Sequence, residues 1–275
     1  MACSKHTETP PETQITCEQL KFAASTPVPE ASGAAFLPID GKPMLVVVSD
    51  SGNHGAYGIV DPDTGDTVEQ GQLPIGDSTD DIEGLAVRGG HLFGITSPGW
   101  ILEWTRDDAN HAFTLVQPRY ALGPVDLPGR AGIGDKPPEG DGMVCDGRRS
   151  NCGRNYEGIC LTETAGYALA KADGHLYPLV GSPLQVKRDG AIAVGRPGVA
   201  ADCAYDETGA LYVGNNLFGE AKVLRVEHGE TSQIGLLGIG FPEVLVVRDG
   251  IFYRMSDTGG SPSLMSKFRC SRATR

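Results

Sequence analysis

The sequence predicts an all-β fold, on two observations. The 275 residues include 38 Gly and 19 Pro with only 21% charged side chains, a turn-rich composition with few stretches suited to long solvated helices. One two-strand phrase also recurs along the chain: an acidic residue opens a short apolar strand, a turn follows, and a second strand ends in small polar residues. It reads Glu83-Gly-Leu-Ala-Val…His91-Leu-Phe-Gly-Ile-Thr96, then Glu157-Gly-Ile-Cys-Leu…Gly166-Tyr-Ala-Leu-Ala170 and Asp202-Cys-Ala-Tyr…Leu211-Tyr-Val-Gly-Asn-Asn216. It returns as Glu243-Val-Leu-Val-Val…Ile251-Phe-Tyr-Arg-Met-Ser-Asp257, and without the acid as Ser32-Gly-Ala-Ala-Phe…Leu45-Val-Val-Val-Ser-Asp50. A repeat of roughly 40 to 50 residues built of short strands is the mark of β-propeller blades, none of which buries both faces alone. No amphipathic helix interrupts it.

Four blades read directly from the alternation and turn chemistry. Blade one spans residues 32–73, with Asp40-Gly41 joining its first two strands and Asp61-Pro-Asp-Thr-Gly65 its last two; blade two spans 82–119 with Gly89-Gly90 as its hairpin. Blade three occupies 156–194, with an outer turn at Arg188-Asp-Gly190, and blade four 201–236. The last unit supplies only three strands, at residues 243–247, 251–256 and 263–270. Its fourth is assigned to Ile15-Thr-Cys-Glu-Gln-Leu-Lys-Phe22, which alternates and would close the ring against the C-terminal strand, removing two exposed edges. The result is a single domain over residues 14–275 with five blades; six stay open if a weak blade has been missed, but the only long gap, 121–154, is Gly/Pro-rich and strandless and reads as a long loop on one face. Residues 1–13 read as a polar tether.

The seven cysteines point to an oxidising compartment, secreted or cell-envelope. The pairing chosen is Cys17 with Cys270 across the ring seam, Cys145 with Cys152 around a short polar loop, and Cys160 with Cys203 on neighbouring innermost strands; it is one of the fifteen that six cysteines allow. Cys3 is left over, behind Met-Ala and ahead of the tether, a layout that resembles a bacterial lipoprotein start with Cys3 as the lipidated residue. The alternative is an ordinary disordered terminus. No apolar run approaches the ~18 residues of a membrane span, so any membrane attachment would run through a lipid on Cys3. The formal charge of −12 with no basic cluster argues against nucleic acid, and a closed ring suits a monomer.

Antiparallel geometry places residues that open a first strand and close a second on one rim of the central channel. Glu83, Glu157, Glu243 and Asp202 come from strand starts; Asp50, Asn53, Asn215, Asn216 and Asp257 from strand ends. Carboxylates packed into one funnel repel unless a cation neutralises them, and an all-oxygen set of irregular geometry suits calcium. The expected ligands are Glu83, Glu157, Glu243, Asp202, Asp50 and Asn215. For any single acid the alternative stays open that it accepts hydrogen bonds from the next blade's amides. Aligning the apolar positions puts Ala201, not Asp202, at the Glu157 place, and Ser32 stands there in blade one, so the acid ring is incomplete. His54, in Asp50-Ser-Gly-Asn-His54, is the candidate proton carrier on that rim. Arg154 and Arg148-Arg149 are candidates to meet an anionic group, or are loop solubilisers. Nucleophile-elbow, zinc-helix and phosphate-loop motifs are absent from the sequence.

Gly153-Arg-Asn-Tyr-Glu-Gly-Ile159 resembles the Asn/Arg-x-Phe/Tyr-Glu-Gly phrase of the esterase-like phytase family of propellers. Val48-Ser-Asp-Ser-Gly…Gly58-Ile-Val-Asp-Pro62 with Asp81-Ile-Glu-Gly-Leu-Ala86 is similar to the same secreted bacterial group. Calcium-activated nucleotidases, also five-bladed, share Glu-bearing strand starts around a central calcium. The resemblance implies a secreted, calcium-bearing propeller, with hydrolysis of phosphate or carboxyl esters suggested by the family name. A complete catalytic set is missing, so the function expected is a cell-envelope lipoprotein that binds a small-molecule ester or a surface protein or glycan on the channel rim. The alternative is a calcium-dependent ester or phosphoester hydrolase.

Overall fold

The computed structural model describes residues 15–22, 25–76, 80–122, 155–217, 221–238 and 240–272, and among them there is no helix. Five antiparallel sheets are present. Their innermost strands, Ala31–Ile39, Ile82–Arg88, Tyr156–Leu161, Ala200–Tyr205 and Phe241–Arg248, touch one another in that order and the last returns to the first, closing a five-bladed ring. Each later strand of a blade steps outward by a hairpin. Asp40 and Gly41 both take left-handed backbone (φ 51° and 74°), as a two-residue hairpin turn demands.

The apolar residues fall into five buried clusters, each lying between two neighbouring blades. Strand alternation explains this: in Leu45-Val-Val-Val48, Leu45 and Val47 pack against blade five while Val46 and Val48 pack against blade two. Both faces of every blade are thus covered, so central strands read as unbroken apolar runs rather than alternating ones. Burial of each such side chain contributes about 1.5–3 kcal/mol before chain entropy is set against it.

The ring closes as the sequence leads one to expect. Ile15–Leu20 pairs antiparallel with Pro262–Arg272, Cys17 lies opposite Cys270, and the two form a disulfide across the seam. A second disulfide, Cys160–Cys203, joins the innermost strands of blades three and four. Two details differ from the sequence reading. Ser25–Pro29 adds a further edge segment to the C-terminal strand, and Ala121, expected to begin the long loop, pairs with Trp100 in a short strand at Tyr120–Ala121. The fourth strand of blade three is split into Gln185–Val186 and Ile192–Ala193, which pair with opposite ends of His175–Val180. The Cys145–Cys152 pairing, Cys3 with its tether, and Arg148, Arg149 and Arg154 lie outside the described residues.

All five innermost strands carry a bulge, at Ser32, Glu83, Glu157, Ala201 and Glu243. A bulge sets one extra residue against the partner strand and re-aims its side chain. In three blades the next residue is glycine, and the need is steric: a Cβ at Gly33 would lie 2.9 Å from the backbone of Gly84, one at Gly84 2.7 Å from Gly158, and one at Gly158 2.7 Å from Asp202. Gly84→Ala is therefore expected to lower the folding free energy by about 1–3 kcal/mol through overpacking. Gly195→Ala, whose Cβ meets nothing nearer than 4.0 Å, should change it by less than about 1 kcal/mol. Urea unfolding of the two variants checks this, and equal midpoints would contradict it.

Candidate functional site at one mouth of the central channel

The bulges supply the site. Glu83 and Glu157 are buried, 6% and 2% exposed, on blades two and three, and Glu243 faces them from blade five. That these side chains converge on the hub follows from Lys171: its Nζ donates to Glu157 Oε2 at 2.7 Å and lies 3.8 Å from Glu243 Oε1. Blades three and five are separated by blade four, so this contact crosses the axis.

The strand ends supply a second tier. Asp50, Ser97, Lys171 and Asn216 each donate a backbone amide to the residue opposite, respectively Glu30, Asp81, Asn155 and Val199, so they hold equivalent register positions in four blades. Asp257 pairs with Phe241 at the corresponding place in blade five. Ser97 Oγ donates to Glu83 Oε1 (2.7 Å), Asn155 Nδ2 to Glu157 Oε1 (2.7 Å), and Asn216 Nδ2 to Glu243 Oε1 (3.3 Å). On the blade-one and blade-two side, one carboxylate oxygen each from Asp50, Asp81 and Glu83 lie within 4.8 Å of one another.

Electrostatics follow from burial and crowding. Burial pushes Glu83 well above the usual carboxylate range, reinforced by Glu157, Asp50 and Asp81. Burial raises Glu157 to about 8; Lys171 opposes the rise without cancelling it, and Glu243 and Asp50 add to it. Asp81 rises to about 6, through burial and then the Asp50 charge. Asp50 and Glu243 also move up, burial again coming first. Burial works against the Lys171 ammonium, yet Glu157, Glu243 and Glu83 hold its pKa above the ordinary value. Lys171 thus stays charged while the acids around it resist ionising.

Of the residues expected from sequence, Glu83, Glu157, Glu243 and Asp50 meet at the hub. Asp202 does not: its carboxylate accepts from Cys203 N (2.7 Å) and Leu245 N (2.8 Å), tying blade four to blade five. Ala201 occupies the bulge in its place. Asn215 faces away, into a cleft with Arg196, Val199, Leu217 and Lys222, and its neighbour Asn216 is the one that bonds a rim acid. Strand parity sets that difference. His54 is 81% exposed, in left-handed backbone between Gly52 and Gly55, with its amide donating to Asp80 Oδ2 (2.7 Å); it serves the turn, and its ring sits out in solvent. Sequence reasoning passed over Asp81 and Lys171. The signal for Lys171 was its place directly after Ala170, register-equivalent to Asp50, where small polar residues were expected instead.

No protein-family model matches the chain, and no curated protein matches it. Among solved structures, glutaminyl cyclase from Myxococcus xanthus superposes with a TM-score of 0.58 at 13% identity, over 95% of this chain and 99% of that one. The PQQ-bound aldose sugar dehydrogenase from Streptomyces coelicolor superposes with a TM-score of 0.54 at 15% identity, over 94% and 99%. At these identities the likeness shows a shared propeller fold, and fold alone does not carry function.

A carboxyl whose folded pKa exceeds its unfolded value binds its proton more tightly when folded. The resulting stability is complete below the unfolded pKa and is lost as pH rises through the folded one. For Asp81 that interval runs from 3.8 to about 6, and for Glu157 from 4.5 to about 8. With chelator present, the urea midpoint is expected to fall progressively from about pH 4 to about pH 8. A midpoint that rises or stays level over this range would contradict the assignment.

Proposed function

We propose that this chain is an envelope or secreted binding protein whose channel mouth holds a divalent cation, calcium by its donor chemistry, and presents it to a ligand on the rim. The observation that carries this reading is the approach of Asp50, Asp81 and Glu83 to within 4.8 Å. Among the described residues, the cation at the hub, Lys171, is in ion-pair range of Glu157 and Glu243 instead. Beyond burial, the Asp50 charge raises the pKa of Asp81 and Glu83, and Asp81 that of Glu83, a repulsion in a buried or half-buried setting that an ion would relieve. Their oxygens are hard donors in an uneven arrangement, which calcium tolerates better than magnesium does. Asp50, Asp81 and Glu83 would hold the ion, with Lys171, Glu157 and Glu243 on the facing wall positioned to meet an anionic or polar ligand group. Disulfides Cys17–Cys270 and Cys160–Cys203 suit an extracellular or periplasmic setting. Attachment through lipid on Cys3 completes the proposal, and rests on sequence resemblance.

A second reading, calcium-dependent hydrolysis of phosphate or carboxyl esters, draws support from Glu157. A carboxyl with its pKa near 8 keeps a proton at neutral pH and is equipped to act as a general acid toward a leaving group. A bound ion would supply polarisation of the ester oxygen.

Saturating calcium, at about 100 times its dissociation constant, is expected to add about 2.7 kcal/mol of stability. Paired Asp81→Asn and Glu83→Gln substitutions should raise the stability of the ion-free protein at pH 8 and abolish the calcium response. Thermal unfolding with and without calcium reads both effects; a wild-type curve indifferent to divalent cations would refute the reading. Turnover of generic ester and phosphoester substrates that is lost in Glu157→Gln, while calcium stabilisation persists, would favour hydrolysis over binding.

A further inference from the structure

We infer that Arg254 is a positioning residue of the channel mouth: its buried guanidinium clamps the two peptide groups that lead into Asn216 and Glu243 and so sets where the Glu243 carboxylate points, a role that rests on the reading of that mouth as a binding site. Arg254 lies in the second strand of blade five, Ile251–Asp257, and is 1% exposed. Its Nη2 donates to the Asn215 carbonyl at 3.0 Å and to the Pro242 carbonyl at 2.9 Å, and its Nε donates to the Leu237 carbonyl at 3.3 Å. The first two carbonyls belong to the peptide units that run into Asn216 and Glu243. A peptide unit is planar, so fixing its carbonyl fixes the plane from which the next residue departs. Asn216 Nδ2 and Glu243 Oε1 then meet at 3.3 Å.

Sheet pairing alone holds neither residue. Glu243 is the bulge residue, skipped between the Pro242–Ser256 and Val244–Met255 pairs. Asn216 lies one residue beyond the Ala200–Asn215 pair, with its amide on the Val199 carbonyl at 3.0 Å. Glu243 is also the most loosely held of the three glutamates. Ser97 Oγ is 2.7 Å from Glu83, and Asn155 Nδ2 and Lys171 Nζ are each 2.7 Å from Glu157, whereas Asn216 Nδ2 and Lys171 Nζ stand 3.3 Å and 3.8 Å from Glu243. A cation is costly at position 254. All three of its hydrogen-bond partners are neutral carbonyls, and Nη1 has no partner among the described residues. Burial brings the Arg254 pKa down to about 10, with Asp202 and Glu243 pulling the other way. An apolar side chain of similar length would fill the space at less cost, so the guanidinium stands there for what its planar fork does, bonding carbonyls of blades four and five at once. Gly214, on blade four, leaves the room for it: a Cβ there would overlap Arg254 Nη1.

The test reads the Asn216 side-chain amide and the Glu243 carboxyl carbon by NMR in the full ¹³C,¹⁵N-labelled chain, with calcium and with chelator. Arg254→Lys keeps the charge and loses the fork. In that variant the Asn216 Nδ2 protons should move toward their free-amide position and the Glu243 carbon should shift with them. The Glu83 carbon and the backbone amides of blades one to three should stay at their wild-type positions. Gly214→Ala, which pushes the guanidinium aside without removing it, should give the same two shifts. Wild-type Asn216 and Glu243 signals in either folded variant would overturn the proposal. So would shifts spread evenly over all five blades, or failure of both variants to fold, since either outcome assigns Arg254 to the ring as a whole. A wild-type chain indifferent to calcium, with Asn216 and Glu243 still responding to Arg254→Lys, would refute the proposed ion and sustain the role of Arg254.

Discussion

Backbone crowding at the hub is the constraint on which the rest of the structure depends. Five innermost strands meet so closely that Gly33, Gly84 and Gly158 leave no room for a Cβ against the next blade. One position earlier each of these strands bulges, as the other two do at Ala201 and Glu243, and in blades two, three and five the extra residue is a glutamate of the channel mouth. The Glu-Gly phrase is the sequence image of this pair of demands: glycine because the neighbouring strand is there, glutamate because the bulge points at the channel. Blade four solves the same problem differently. Its bulge carries Ala201, and Asp202 fills the glycine position with a carboxylate that bonds the adjacent strand at Leu245 N.

Stability and function pull apart at this hub. Five interblade clusters and a disulfide-locked seam hold the ring, and the carboxylates draw on that reserve, since Glu83 and Glu157 are buried and Glu243 half-buried, each with its pKa displaced upward. Groups arranged so expensively are a mark of functional sites, where local rules are broken and compensated elsewhere. Lys171 lies in ion-pair range of Glu157 and Glu243, while on the blade-one and blade-two side Asp50, Asp81 and Glu83 bring one carboxylate oxygen each within 4.8 Å of one another.

The fold was legible because its signals are periodic. Strand alternation, hairpin turns and a repeated acidic start located the blades, and the same alignment foresaw Ala201 in place of Asp202 at the bulge. The seam was legible from an alternating N-terminal segment and a cysteine near each end. The site was legible only in part, because one-residue parity decides which side chain reaches the axis: Asn215 and Asn216 are adjacent, yet only Asn216 bonds Glu243. Asp81 lies before the repeated phrase begins, and Lys171 breaks its pattern of small polar endings, so neither stood out before the chain was folded. His54 sat close to the rim in sequence, but a left-handed turn carries its ring outward.

A crystallographic map of the channel from protein grown with millimolar calcium tests the central claim most directly. The expected result is Glu83, Glu157 and Glu243 turned toward the axis, with an ion coordinated at about 2.3–2.6 Å by Asp50, Asp81 and Glu83. Density showing those side chains directed elsewhere, or a channel mouth holding only water among the three acids, would contradict it.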